Sequence, residues 1–431
     1  MNEFTPIEFS KFSAWAGSSS IWWKLSVTLM AAMLTGVSSE AQQDGGWTTS
    51  WGAAQMQPYG TELLPDGALE GATLRQIVHL SVGGTKLRLH LSNAFGQEPL
   101  QLQTLHVSLP EGSEGAGPIT TSVDYAVTFA GKAEVSVPAG AEYWSDPVPM
   151  PLAPQADLVV TVFVTHAPAI LTLHAGARAT SFYVKGQHVS DEHLDSPQTC
   201  TRWYFLAGVE TSQAGGMATS VVTFGDSITD GHGSTTDGND RWPDVLARRM
   251  SSSEPTRGMG VVNEGIGGNH ILTDGLGPNA LARFDRDVLS VTGARTLIVM
   301  EGINDLGGLD RVVAHKQVAH DALVSELMAA FGQMVTRAHA HGIRVLGATL
   351  TPYVGSDYYH PSEMSEADRV KLNDWIRHSG TFDGVVDFDE VLRDPAHPSL
   401  MLPAYDSGDH LHPGPAGYKR MGETVPLAAL P

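Results

Sequence analysis

The chain has 431 residues, a length that favours two or three domains over one. Its formal charge of -21, from 47 acidic residues against 26 Lys and Arg, opposes a phosphate backbone and argues against nucleic acid as a partner. Cys200 is the one cysteine, which rules out a disulfide within the chain and any zinc site built on cysteines; a free thiol buried against strands is the expectation.

The first 41 residues read as a signal peptide. Lys24 precedes a short apolar run over 25–34, and small residues follow at Gly36, Ser38, Ser39 and Ala41. The run is too short for a comfortable membrane span, and no other stretch is long and apolar enough, so a secreted or periplasmic protein is expected. Residues 46–208 read as strands. Period-two alternation recurs, as in Lys86-Leu-Arg-Leu-His-Leu91, with Gly, Pro and Asp between the runs. This predicts an antiparallel β-sandwich, jelly-roll-like, with Gly83-Gly84 as a hairpin turn. Trp47, Trp51 and Trp144 are its most informative aromatics, expected to pack or to contact a sugar. The small, polar stretch 209–216 is expected to be a linker.

Residues 217–431 change to strand–helix alternation. Strands are predicted at 219–224, 260–263, 296–300, 343–348 and 384–388, with helices at 241–250, 315–341 and 366–378. On the long helix, Val318, Leu323, Leu327, Ala330 and Val335 form the expected apolar face. Continuous apolar strands between helices imply α/β architecture with a parallel sheet covered on both faces. Ligands in such sheets bind beyond the carboxyl ends of the strands.

Four motifs follow predicted strands. Gly225-Asp-Ser-Ile-Thr229 turns the chain after the first strand and exposes a hydroxyl, Ser227, at the sheet edge. Gly265-Ile-Gly-Gly-Asn269 follows the second and can present bare backbone N–H groups; a phosphate cradle is the rival, but no Walker lysine accompanies it. Gly302-Ile-Asn-Asp305 follows the third and offers the Asn304 amide as a donor. Asp409-His-Leu-His412 lies before the last helix. Its outer residues are three apart, so the carboxylate can hold the imidazole and leave its other nitrogen free to take a proton. His410 is the rival base, disfavoured because adjacent residues rarely face each other. His270 is expected to line the pocket or cap a turn, and the remaining histidines of the long helix (His315, His320, His339, His341) to be surface or satisfied core groups.

Together these blocks resemble the GDSL, or SGNH, hydrolase family over roughly residues 218–428. The resemblance implies a three-layer α/β/α domain that works without a cofactor or metal. It implies Ser227 as nucleophile, Asp409 and His412 as acid and base, and an oxyanion hole from the Ser227 and Gly268 N–H groups and the Asn304 amide. The strand-rich preceding region, opening on Trp47-Thr-Thr-Ser-Trp51, looks like that of multidomain members related to bacterial xylan-degradation esterases. The expected activity is hydrolysis of short-chain acyl esters, foremost acetyl esters on carbohydrate. A lipase or lysophospholipase-type acylhydrolase and a non-catalytic carbohydrate-binding protein are the alternatives. Tyr353, Tyr358, Tyr359 and His360, in a loop after the fourth strand, are candidates for stacking on a sugar or anchoring the loop.

Overall fold

The computed structural model describes residues 46–111, 120–121, 124–212, 218–312 and 316–430. The predicted signal peptide and His315 lie outside the described residues. The described residues form one compact unit.

The first half is antiparallel. Strands Trp47–Gly52, Leu206–Ser212, Lys86–Ser92 and Glu142–Trp144 pair in that order. A second sheet runs Gln198–Cys200, Ser181–Lys185, Ala72–His79, Asp157–His166, Leu100–Ser108 and Tyr125–Val127. Alternation decides which side chains enter the core: Leu87, Leu89 and Leu91 from one sheet share an apolar cluster with Leu74, Val78 and Val160 from the other. Two expectations fail here. Gly83-Gly84 is not a hairpin turn, because Ala72–His79 and Lys86–Ser92 belong to different sheets. The glycines instead let other backbone close in, since a Cβ on Gly83 would stand 2.2 Å from the Leu152 carbonyl oxygen. The expected linker 209–216 is strand up to Ser212, where Val209 pairs with both Trp51 and Leu89; its remainder lies outside the described residues. Small polar residues were compatible with a strand there because flanking strands satisfy the backbone on both sides.

The second half carries a five-stranded parallel sheet. In chain order the strands are Ser220–Gly225, Gly260–Gly265, Ala294–Met300, Arg344–Ala348 and Gly384–Val386; in space the order is second, first, third, fourth, fifth. The connections include eight α-helices among the described residues: α1 (Ser227–Asp230), α2 (Trp242–Ser251), α3 (Ala280–Phe284), α4 (Ile303–Val312), α5 (Gln317–Ala340), α6 (Glu363–His378), α7 (Phe388–Leu392) and α8 (Pro415–Thr424). Local chemistry starts several of them. Ser362, Asn279 and Asp387 cap α6, α3 and α7 with side-chain oxygens, and α2 opens on Pro243. Helices α2, α7 and α8 pack as one group and α3 to α6 as another. The buried stripe of α5 is His320, Val324, Leu327, Phe331, Met334 and Ala338, a helical repeat, while Val318 is 81% exposed. Of the expected face, Leu327, Ala330 and Val335 are buried and Leu323 packs against the core, so only Val318 fails; His320, which pairs with Asp368 at 2.5 Å, is buried in the first turns instead.

The two halves share a seam. The strand Trp47–Gly52 runs beside Gly260–Gly265, with a parallel bridge between Ala53 and Asn263. Gly260 permits the approach, since a Cβ there would meet the Thr49 carbonyl oxygen at 2.1 Å. Thr49 N–H donates to the Thr292 carbonyl at 3.2 Å, Arg286 to that of Gln55 at 2.9 Å, and Val261 N–H to the Ser81 hydroxyl at 2.9 Å. Ile266, from the loop after the second parallel strand, is buried in the apolar core of the first half.

Candidate active site

A parallel sheet ordered second, first, third has its switch point at the first strand, where connections leave toward opposite faces and open a crevice. Three of the four motifs leave the carboxyl ends of the first, second and third strands, so they converge on that crevice. Asp226 caps α1 by accepting from Ile228 N–H at 2.9 Å, which places Ser227 at the first residue of the helix. A side chain at Gly225 would meet Thr229 and the Met300 carbonyl within 2.6 Å, so the turn needs glycine.

The structure brings Ser227, His412 and Asp409 into one hydrogen-bonded line. The Ser227 hydroxyl lies 2.8 Å from His412 Nε2, and His412 Nδ1 lies 2.6 Å from Asp409 Oδ2. The other oxygen of Asp409 accepts from the backbone N–H groups of His412 at 2.8 Å and Leu411 at 3.0 Å, and from the Ser407 hydroxyl at 3.1 Å. Burial alone would raise the Asp409 pKa; the His412 ring N–H and these backbone donors outweigh it and hold the carboxyl well below the usual range. His410 turns away, with a positive φ of 58°, and its Nδ1 pairs with Asp406 at 2.6 Å.

Gly268 adopts φ 71°, a left-handed conformation suited to glycine, in the loop after the second strand. The Asn304 Nδ2 group donates one hydrogen to the Asn269 carbonyl at 2.6 Å, tying the second and third motifs together. Asp305 reinforces the tie by accepting from Ile271 N–H at 2.9 Å and Leu272 N–H at 3.2 Å. His270 stands between Gly275 and Gly308, half-buried.

Several participants escaped sequence reasoning. Arg283, fully buried, spans the floor of the crevice. It donates to the carbonyls of Gly225 at 2.9 Å and Glu264 at 2.7 Å, to the Asn269 side chain at 2.9 Å, to Asp287 at 3.1 Å and to Glu301 at 3.2 Å, with Phe224 beneath its plane. One guanidinium thus binds the ends of three strands. The acids around it are costly to ionise: burial pushes Glu264 and Glu301 well up, and burial reinforced by Asp305 and Asp230 raises Asp226 to about 7. The tyrosine loop divides its roles. Tyr353 is buried and bonds Ser365; Tyr359 is buried and reaches Asn304; Tyr358 is 57% exposed over Arg311. Trp51 is core, edge-on to Trp203 at 4.8 Å, and Trp144 stacks on His90 at 3.9 Å. Cys200 is buried and free.

Among the described residues, one set of three His and acidic groups is close enough to hold a metal ion, and it is His232 with Asp409 and His412. Of these, His412 and Asp409 are hydrogen-bonded to each other, while His232 Nε2 stands 4.0 Å from Asp409.

Residues 223–420 match the model of the GDSL-like lipase/acylhydrolase family. This region of the chain belongs to that family. That region accordingly carries the general esterase or acylhydrolase activity of the GDSL superfamily. No curated protein matches the chain. Solved structures similar to part of the chain include a G-D-S-L family protein from Desulfitobacterium hafniense (24% identity, TM-score 0.36, covering 48% of this chain and 97% of that one). Others are a GDSL-like lipase from Bacteroides thetaiotaomicron (20%, 0.36, 49% and 87%) and the acetyl xylan esterase Axe2 from Geobacillus stearothermophilus (20%, 0.36, 50% and 95%). Among the described residues no helix is long and apolar enough to cross a membrane.

Proposed function

We propose that this GDSL hydrolase cleaves short-chain acyl esters of polar alcohols, foremost acetyl esters on carbohydrate, through an acyl-enzyme on Ser227. The observation that carries the reading is the line from the Ser227 hydroxyl through His412 to Asp409 at 2.8 and 2.6 Å, at the switch point of the sheet. His412 takes the hydroxyl proton as Ser227 attacks the carbonyl carbon. Asp409 holds the ring with its proton on Nδ1 and stabilises the imidazolium. The tetrahedral oxyanion is received by the Ser227 and Gly268 N–H groups and the free hydrogen of the Asn304 amide, each such donor typically worth ~3 kcal/mol. His412 then protonates the leaving alcohol, and water repeats the sequence on the acyl-enzyme.

A polar alcohol is favoured by the polar surroundings of the line, where the exposed His232 ring lies beside His412. The exposed Tyr358 ring adds a flat surface for a sugar. We further read the antiparallel half as a β-sandwich that packs against a three-layer hydrolase domain, and the chain as exported with cleavage near Ala41. The mass of the mature N-terminus in the native host checks the latter.

The decisive experiment is Ser227→Ala, which is expected to fold normally and lose hydrolysis of p-nitrophenyl acetate; retained turnover would remove Ser227 as nucleophile. A panel of p-nitrophenyl esters from two to sixteen acyl carbons separates the rival lipase reading. A kcat/KM maximum at ten carbons or more would favour the lipase.

A further inference from the structure

His232 follows α1 directly, and its backbone N–H donates to the Ser227 carbonyl at 2.9 Å. Its ring lies against that of His412, with centroids 4.1 Å apart, and its Nε2 stands 4.0 Å from Asp409 Oδ2, the oxygen that faces His412 Nδ1. On the far side, Arg178 Nη2 lies 3.1 Å from His232 Nδ1. A guanidinium carries no acceptor, so Nδ1 must accept and the ring proton must sit on Nε2, facing the carboxylate.

Arg178 comes from the antiparallel half, and its loop is built to hold it there. Arg178 adopts φ 48°, strained for a residue with a side chain. The strain is held by Asp237, whose N–H donates to the Arg178 carbonyl at 2.9 Å and whose carboxylate accepts from Thr180 N–H at 2.6 Å and the Thr180 hydroxyl at 2.7 Å. Gly176 in the same loop leaves room for Asp230, the last residue of α1, which pairs with the buried His174 at 3.0 Å.

We propose that Arg178 and His232 are positioning residues of the ester-hydrolysing site, a relay in which the antiparallel half fixes the His232 tautomer and directs its N–H at Asp409. The inference rests on the assignment of Ser227, His412 and Asp409. It makes the first half a contributor to the chemistry rather than a packing partner alone. The groups facing His232 are Arg178 from the antiparallel loop, Asp230 from α1, and Asp409 and His412 from the loop before α8. Burial, His412 and Arg178 together hold its pKa down to about 4, against the opposing pull of Asp409 and Asp230. His232 is therefore neutral at working pH and does not oppose the charge that forms on His412. Without Arg178, His232 would gain a proton more readily, pair with Asp409 and compete with His412 for it.

The test uses the full chain and p-nitrophenyl acetate, with thermal melts on every variant. Ser227→Ala tests the underlying assignment: if it keeps turnover, that assignment falls and the relay with it. If it is inactive, the relay is judged by its own variants. Arg178→Met and His232→Phe are each expected to lower kcat about fivefold with KM within about twofold of the parent. The double variant is expected to lose no more, because both changes cut one chain of contacts. Arg178→Lys, which keeps a donor and a charge, is expected to recover most of kcat. Arg178→Met should lose further activity below about pH 7, and that extra loss should vanish when His232 is also Phe. Losses that multiply in the double variant, a Lys variant no better than Met, or an acid side unchanged by Arg178→Met would each overturn the relay while leaving Ser227 in place.

Discussion

The Tyr359 hydroxyl donates to Oδ1 of Asn304 at 2.5 Å. The amide is thereby oriented: its oxygen is occupied, its Nδ2 gives one hydrogen to the Asn269 carbonyl, and the second is left for the crevice. Gly307 makes this possible, since a Cβ there would stand 2.4 Å from the tyrosine ring. Tyr359→Phe should therefore lower kcat for small esters about fivefold, equal to ~1 kcal/mol for one hydrogen bond, with KM nearly unchanged. Steady-state kinetics decide it; a change confined to KM would show that Tyr359 serves binding rather than the oxyanion.

The two histidines of the last motif should separate cleanly. His412→Ala is expected to reduce kcat by about a thousandfold or more. His410→Ala should stay within about threefold of the parent, because His410 pairs with Asp406 and not with Ser227. Equal losses would mean that the loop, rather than His412, is what matters.

Arg283→Met should destabilise the protein by about 3–5 kcal/mol, the usual consequence of leaving buried acids without their cation. Urea unfolding gives the number. A loss under about 1 kcal/mol would show that the strand ends do not depend on the guanidinium.

Asp226 predicts a pH signature. Its folded pKa of about 7 lies above the ordinary carboxylate value, so the native state keeps a proton that the unfolded chain releases. This group therefore lowers stability progressively as pH rises between about 4 and 7, with the full cost present above 7. Asp226→Asn keeps an oxygen for the Ile228 N–H and removes the charge. Its gain in Tm over the parent should grow from pH 5 to pH 8, read by calorimetry. A gain independent of pH would place the proton elsewhere.

The fragment 217–431 should fail as a free-standing hydrolase. It would expose Ile266 and strip Asp230 of its partner His174. Size-exclusion chromatography should find it aggregated; a soluble, fully active fragment would show that the seam is dispensable.

What could be read from the chain itself follows from distance along it. Ser227, Gly268, Asn304 and the 409–412 pair stand in short motifs after predicted strands, and strand–turn chemistry is local, so their placement at one sheet edge was legible. The roles of Arg283 and Arg178, and the partner of Tyr359, were not. Arg283 lies 58 residues from its partner Gly225, Tyr359 lies 55 from Asn304, and Arg178 lies 54 from His232. No periodicity links such pairs; only the fold does. A signal existed for His232, which adjoins the Ser227 motif, and for Arg283, a lone cation on a short helix amid apolar residues. Gly83-Gly84 misled for the complementary reason. Two glycines show where the chain can bend but not which sheet the next strand will join.

The seam has a consequence for how the protein is made. Thr49 waits for Thr292, its partner 243 residues later, and Gly260–Gly265 must be in place before the strand Trp47–Gly52, paired on one side with Leu206–Ser212, is covered on the other. At ~5–20 residues per second, synthesis of that interval takes roughly 12–50 s. For that time the nascent first half carries an open flank at the ribosome exit. Faster synthesis of that interval, or a chaperone that shields strands, should thus raise the yield of active enzyme.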